Sequence, residues 1–314
     1  MTSEIVLGEL KADSLPEAVP YAVIMPPGSA AAVPLCLLLM GGGGSRQSLL
    51  DCQKLFDAWW SDGTLAPMAI ATPSAAMSYY LDDPEYDVRW DTFLAVDLVA
   101  RLRSTLNVAG VTAIAGISMG GYGALKVAFA RPEIFRAAAA MQPMLDPGLS
   151  DSVIGARNRL HHASGGPARL IGPGRDPALF EANNPANRAR ANAKSIRESN
   201  LATYIDAADN DMVNAHDGAE FLHRVLWDLD ISHEYHLVRN ADHGGPTFIP
   251  RMRAMFGWLS GVLGEGQEPA AKGDPASPTS NEFLRMVRAQ LQPLRDQAAA
   301  TDPATHRRYG VIRN

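Results

Sequence analysis

Eight short apolar runs punctuate the first two-thirds and more of the chain, and what lies between them alternates between helical periodicity and turn residues. "EIVLGELKA" and "YAVIMPP" read as two strands joined by a turn around Ser14 to Glu17. "VPLCLLLM" (33–40) is apolar without alternation, the pattern of a strand buried on both faces. "PMAIATP" (67–73), "GVTAIAG" (110–116), "RAAAAMQ" (136–142), "LATYIDA" (201–207) and the less pure "HEYHLVR" (233–239) read the same way. Between them, Phe93, Leu94, Leu98, Leu102 and Leu106 recur at helical spacing, as do Phe221, Leu222, Val225, Leu226 and Leu229. Met119 to Ala130 is a short Ala-rich helical run, and Thr247 to Leu263 predicts a closing helix. Strands alternating with helices predict an α/β fold, a mostly parallel sheet with helices on both faces.

Two segments break the alternation. Residues 143–200 are rich in Gly, Pro, Asn and Arg, with weak helical patches, and read as a lid or cap excursion from a body spanning 1–263. Residues 264–280 have linker composition. Beyond them, Phe283, Leu284, Val287, Leu291 and Leu294 predict a C-terminal tail helix over 281–314, whose apolar stripe would dock on the body or on a second copy of the chain.

The 314 residues, 46% hydrophobic and 20% charged, fit an ordinary globular enzyme or binding protein. A net charge of -6 argues against a nucleic-acid partner. The excursion is locally basic, with Arg157, Arg159, Arg169, Arg175, Arg188, Arg190, Lys194 and Arg197, a run that reads first as a solvated face and second as steering for an anionic substrate. Cys36, inside an apolar run, is expected to be a small buried hydrophobe, and neither it nor Cys52 has metal or redox spacing. No organic cofactor or metal is implied. No apolar stretch is long enough to span a bilayer, and the N-terminus lacks a basic start followed by an apolar core, so the expected location is cytoplasmic.

The chemistry centres on "AIAGISMGGYGALKVAF". A glycine-rich turn alone would account for the glycines but not for a serine between them. A strand, then G-x-S-x-G, then a helical run predicts a nucleophile elbow that lifts Ser118 above the strand ends. Such a serine needs a base and the base an orienting acid, in the chain order Ser, acid, His. His243 in "NADHGGPTF" follows the last strand and precedes the closing helix. His233 and His236 fall within a strand run, His216 and His223 on a helix, and His161 and His162 before the acid. Asp206, Asp209 and Asp211 are the candidate acids; Asp206 ends the strand, and Asp211, in the loop beyond, is preferred. Gly41 to Gly44 follow an early strand and let backbone approach a substrate, with no Lys-Ser/Thr after them to make a P-loop. The backbone N–H of Gly42 is the expected oxyanion donor, paired with that of Met119, and Gly41 and Gly43 are expected beside the substrate.

Together these segments resemble the α/β-hydrolase family of esterase D type S-formylglutathione hydrolases, feruloyl and acetylxylan esterases and mycolyltransferase antigens. The resemblance is carried by "VPLCLLLMGGGG", "YYLDDPEYDVRWDTFLAVDLVARL", "AGISMGGYGALKVAFARPEIFRAAAAMQPML", "YIDAADNDM" and "DHGG". It implies an α/β-hydrolase fold, Ser118 as nucleophile, His243 as base, Asp211 as acid, and Tyr79, Tyr80 and Asp82 as substrate-binding residues near the active site. The chain departs from the family in having Met40 where His often precedes the oxyanion loop, and Ala208 where the acid motif has glycine. The implied activity is that of a serine hydrolase on small-molecule carboxylic esters or thioesters. An acyltransferase using the same residues, and a non-catalytic binding protein on this fold, are the alternatives.

Overall fold

The structure, a computed structural model, describes residues 2–28, 31–159, 162, 176–264 and 293. The chain divides after Leu263 into two compact units, and the body is the first of them. Apart from residues 264 and 293, the sequence-predicted linker and tail helix, with its docking, lie outside the described residues.

All eight apolar runs are strands: β1 (Glu4–Leu10), β2 (Val19–Met25), β3 (Val33–Leu39), β4 (Ala69–Pro73), β5 (Val108–Ile117), β6 (Ala137–Met141), β7 (Ala202–Ala208) and β8 (Glu234–Val238). They form one sheet in the order β1-β2-β4-β3-β5-β6-β7-β8. β2 pairs antiparallel with both β1 and β4, and every other pairing is parallel. The parallel strands therefore end along one edge, where an open α/β sheet places its site.

Period-two alternation divides the core between the two faces. Leu35, Leu37, Leu39, Ile114, Ala138 and Ile205 point to one side, beneath α5 (Met119–Ala130) and α9 (Ala215–Asp228). Cys36, Leu38, Ile70, Ala113, Ala115 and Met141 point to the other. There they meet Leu49 of α1 (Arg46–Asp51), Phe56 and Trp59 of α2 (Gln53–Ser61), and Met255, Phe256 and Leu259 of α10 (Phe248–Gly264). Cys36 is fully buried, and loss of water pushes its thiol up to about 12, so it behaves as the expected hydrophobe.

The helical run after residue 89 is composite: α3 (Trp90–Thr92), a π-helical turn (Phe93–Leu98), then α4 (Val99–Thr105). The described part of the excursion holds more helix than its composition suggests. α6 (Pro177–Asn183), α7 (Pro185–Ala191) and α8 (Ala193–Ser199) start behind Asp176, Asn184 and Asn192, the first two of which cap them with side-chain oxygens ahead of Pro. Phe180, Ala186, Ala189 and Ile196 join the α5-side core, so these helices belong to that layer. Several of its basic residues have partners within the chain: Arg157 bonds Asp217, Arg159 bonds Asp151, Arg188 bonds Asp91 and Arg197 bonds the Leu229 carbonyl.

Candidate active site

β5 delivers the chain to Ser118 at the sheet edge, and α5 begins at the next residue. Ser118 sits at φ 57°, ψ −118°, a conformation that costs a non-glycine residue on the order of 1–3 kcal/mol and persists only when its surroundings enforce it. They do so at very close range. A Cβ on Gly116 would stand 2.0 Å from the Gly120 carbonyl oxygen, and one on Gly120 would stand 1.9 Å from that of Leu39. Only glycine lets α5 turn back over the strands this tightly. Ser118 is further fixed by its N–H donating to the Met141 carbonyl at 3.0 Å.

His243 arrives on the loop between β8 and α10, and its Nε2 lies 2.9 Å from Ser118 Oγ. Its Nδ1 lies 2.7 Å from Asp211 Oδ2, which assigns the proton to Nδ1 and leaves Nε2 as the acceptor facing the serine. The Asp211 side chain is fully buried, whereas His243 keeps 22% exposure. Burial works to raise the Asp211 carboxyl. The bond to His243 and its charge, with the backbone N–H groups of Val213 and Ala215, outweigh it and hold the group below its ordinary value.

The other two candidate aspartates hold the histidine loop instead. Asp206 is buried against Arg251 of α10, whose Nε donates to Asp206 Oδ1 at 2.8 Å and whose Nη1 donates to the Asp242 carbonyl at 3.0 Å. Asp209 accepts from the Ala241 N–H at 3.3 Å and pairs with Arg239 at 3.2 Å. Two further ties close the loop: Met212 N–H donates to Asp242 Oδ1 at 2.9 Å, and the buried Gln142 amide donates to the His243 carbonyl.

The glycine loop flanks Ser118. A Cβ on Gly41 would lie 3.5 Å from that of Ser118. Gly43, at φ 76°, donates its N–H to the Ala76 carbonyl at 3.0 Å, and Gly44 donates to Gly41 at 2.9 Å. Gly43 therefore uses its N–H to shape the loop. Met119, as the first residue of α5, has an N–H with no intrahelical partner, beside Ser118. Among the described residues, no group of three or more His, Cys, Asp and Glu side chains could hold a metal ion.

Residues 13–259 match the protein family described as "Putative esterase". The chain belongs to that family. As an esterase it shares its fold with a ferulic acid esterase: TM-score 0.65, 17% identity, covering 83% of this chain and 99% of the other. It also shares it with an S-formylglutathione hydrolase from Agrobacterium tumefaciens, at TM-score 0.65 and 16% identity over 83% and 96% of the two chains. MPT51 of Mycobacterium tuberculosis aligns at TM-score 0.62 and 19% identity over 83% and 99%. The α/β-hydrolase architecture expected from the sequence is thus the architecture of this esterase.

Three expected substrate-binding residues have partners within the esterase. Tyr80 is fully buried, and its hydroxyl donates to the Met40 carbonyl at 3.2 Å. Asp82 turns to Lys126 at 3.3 Å and accepts from the Asp91 N–H at 3.0 Å. Tyr79 is buried edge-on against Tyr122, ring centroids 6.0 Å apart. A sequence motif places these residues near the site but does not say which way they face, and the structure turns Tyr80 and Asp82 inward. Gln142 and Arg251 escape the sequence reading, because nothing local marks a glutamine after a strand or an arginine inside a helix.

Proposed function

We propose that this esterase cleaves carboxylic esters or thioesters through an acyl-enzyme formed on Ser118. Ser118 Oγ attacks the acyl carbon as His243 Nε2 takes its proton. Asp211 holds the imidazole in the tautomer that leaves Nε2 free to accept, and stabilises the imidazolium. The N–H groups of Gly42 and Met119 receive the negative charge that develops on the carbonyl oxygen. His243 then passes the proton to the departing alcohol or thiol, and water, activated by the same imidazole, releases the acid.

The observation carrying this reading is the unbroken hydrogen-bonded line from Ser118 Oγ through His243 to the buried Asp211. Labelling with a fluorophosphonate probe, beside turnover of a series of 4-nitrophenyl esters graded by acyl length, tests it. Wild-type protein is expected to be labelled at Ser118 alone. Ser118→Ala should abolish labelling and lower kcat/KM by about a thousandfold or more without lowering the melting temperature. Near-wild-type turnover by a folded Ser118→Ala protein would refute the assignment.

A further inference from the structure

The glycine loop has one bond of its own, from the Gly44 N–H to the Gly41 carbonyl at 2.9 Å. Four successive glycines impose little φ/ψ preference, so the direction of the Gly42 N–H also depends on what grips the loop from outside. Two grips come from the segment after β4. The Ala76 carbonyl accepts the Gly43 N–H at 3.0 Å, and the Tyr80 hydroxyl donates to the carbonyl of Met40, the residue that enters the loop.

That segment is itself forced into an unusual form, with Ala76, Tyr79 and Tyr80 all at positive φ (45°, 52° and 54°). Tyr80 is locked from several sides. Its ring lies against Gly123, where a Cβ would come within 2.5 Å, and stands edge-on to Trp90 at 5.3 Å. Its carbonyl accepts from Lys126 Nζ at 2.9 Å. Lys126, about two turns along α5 from Ser118 and fully buried, also contacts Asp91 at 2.5 Å, and Asp91 accepts from Arg188 of α7 at 2.6 Å. A buried ionic cluster thus ties the nucleophile helix and α7 to the tyrosine whose hydroxyl meets the oxyanion loop.

We infer that Tyr80 is a positioning residue for the reaction: its hydroxyl, through the Met40 carbonyl, aims the Gly42 N–H at the oxyanion. This rests on the acyl-enzyme reading above. It requires that Tyr80 act on the transition state and not on the binding of substrate or the basicity of His243.

Tyr80→Phe is the test, with Tyr122→Phe as a matched control. Tyr122 is equally buried, lies on α5, and its hydroxyl donates to the Asn183 carbonyl at 2.8 Å, away from the glycine loop. Both variants lose one buried phenol, so both should melt somewhat lower. Assayed with 4-nitrophenyl acetate well below each melting midpoint, Tyr80→Phe should lose about tenfold in kcat, less than the loss expected when an oxyanion donor is removed outright, with KM within about twofold. Its affinity for a trifluoromethyl ketone, which forms an oxyanion on Ser118, should fall in proportion to kcat/KM, while the pH profile stays in place. Tyr122→Phe should keep near-wild-type kcat and ketone affinity. An active wild type with Tyr80→Phe indistinguishable from Tyr122→Phe overturns the inference alone. A shifted pH profile or a rise confined to KM overturns it as well. A wild type inert toward both the ester and a fluorophosphonate overturns the acyl-enzyme reading, and the inference with it.

Discussion

Replacing Asp211 by asparagine changes one atom of a buried side chain and leaves its shape intact. The carboxylate accepts from Nδ1–H of His243 with one oxygen and from the Val213 N–H, at 2.9 Å, with the other. In Asp211→Asn the Val213 N–H still needs an acceptor, so it holds the amide oxygen toward the backbone and the amide NH₂ faces His243. The imidazole must then accept at Nδ1 and carry its proton on Nε2, pointed at Ser118 Oγ, where a base should be. In a well-studied triad enzyme the same exchange costs about four orders of magnitude in turnover. We expect a loss of about 10²–10⁴ for Asp211→Asn, equivalent to roughly 2.7–5.4 kcal/mol of transition-state stabilisation. Steady-state hydrolysis of 4-nitrophenyl acetate measures it. Stability carries a second signature. The Asp211 carboxyl is held below its ordinary value in the folded state, so its ionised form stabilises the fold above the unfolded-state pKa of about 3.9, and that contribution fades as pH falls through the lower folded value. The melting temperature of Asp211→Asn should therefore lie below wild type near neutrality and converge on it in acid. Normal turnover by Asp211→Asn, with Asp209→Asn crippled but folded, would refute the reasoning.

The remaining expectations come from packing. Asp206→Ala strands a buried Arg251 guanidinium, since the two side chains are only 2% and 4% exposed; the expected loss is about 3–5 kcal/mol, or roughly 10 °C in melting temperature, and a shift under about 3 °C would contradict it. Gly120→Ala places a methyl group 1.9 Å from the Leu39 carbonyl oxygen, which is backbone and cannot step aside, so calorimetry should find the protein severely destabilised or not folded. Gly261→Ala in α10, where a Cβ meets nothing within 4 Å, should by contrast be neutral or stabilising by about 0.5–1 kcal/mol in the same measurement.

The strands are legible in the sequence because each is an apolar run bounded by turn residues, and a strand buried on both faces needs little else to be recognised. α9 and α10 are legible because they are long enough to repeat an apolar face. α1 and α2 do not read as helices: they are six and nine residues long, break at Cys52, and bury only Leu49, Phe56 and Trp59 between them. α6, α7 and α8 span seven residues each, too few for a period to stand out from a Gly- and Pro-rich surround. At the site, Ser118 and His243 are visible through their positions at element boundaries. The parts taken by Asp206, Arg251, Gln142 and Tyr80 are not, because each meets its partner across at least 40 residues of chain, and such pairings are made by the sheet order and not by any local pattern.

The three aspartates at the end of β7 give the histidine loop an unusual dependence. Asp206 reaches it through Arg251, Asp209 through the Ala241 N–H, and Asp211 through the imidazole, while the Asn210 N–H donates to the Ala241 carbonyl at 3.0 Å and the Met212 N–H to Asp242. Residues 206–212 and 239–251 are therefore laced together rung by rung, although α9 and β8 lie between them in the chain. For anyone recombining segments among related enzymes, the two stretches form a single cassette. Exchanging the histidine loop alone would set it against fastenings shaped for another loop, whereas transplanting both together would carry His243, Asp211 and their scaffold as one part.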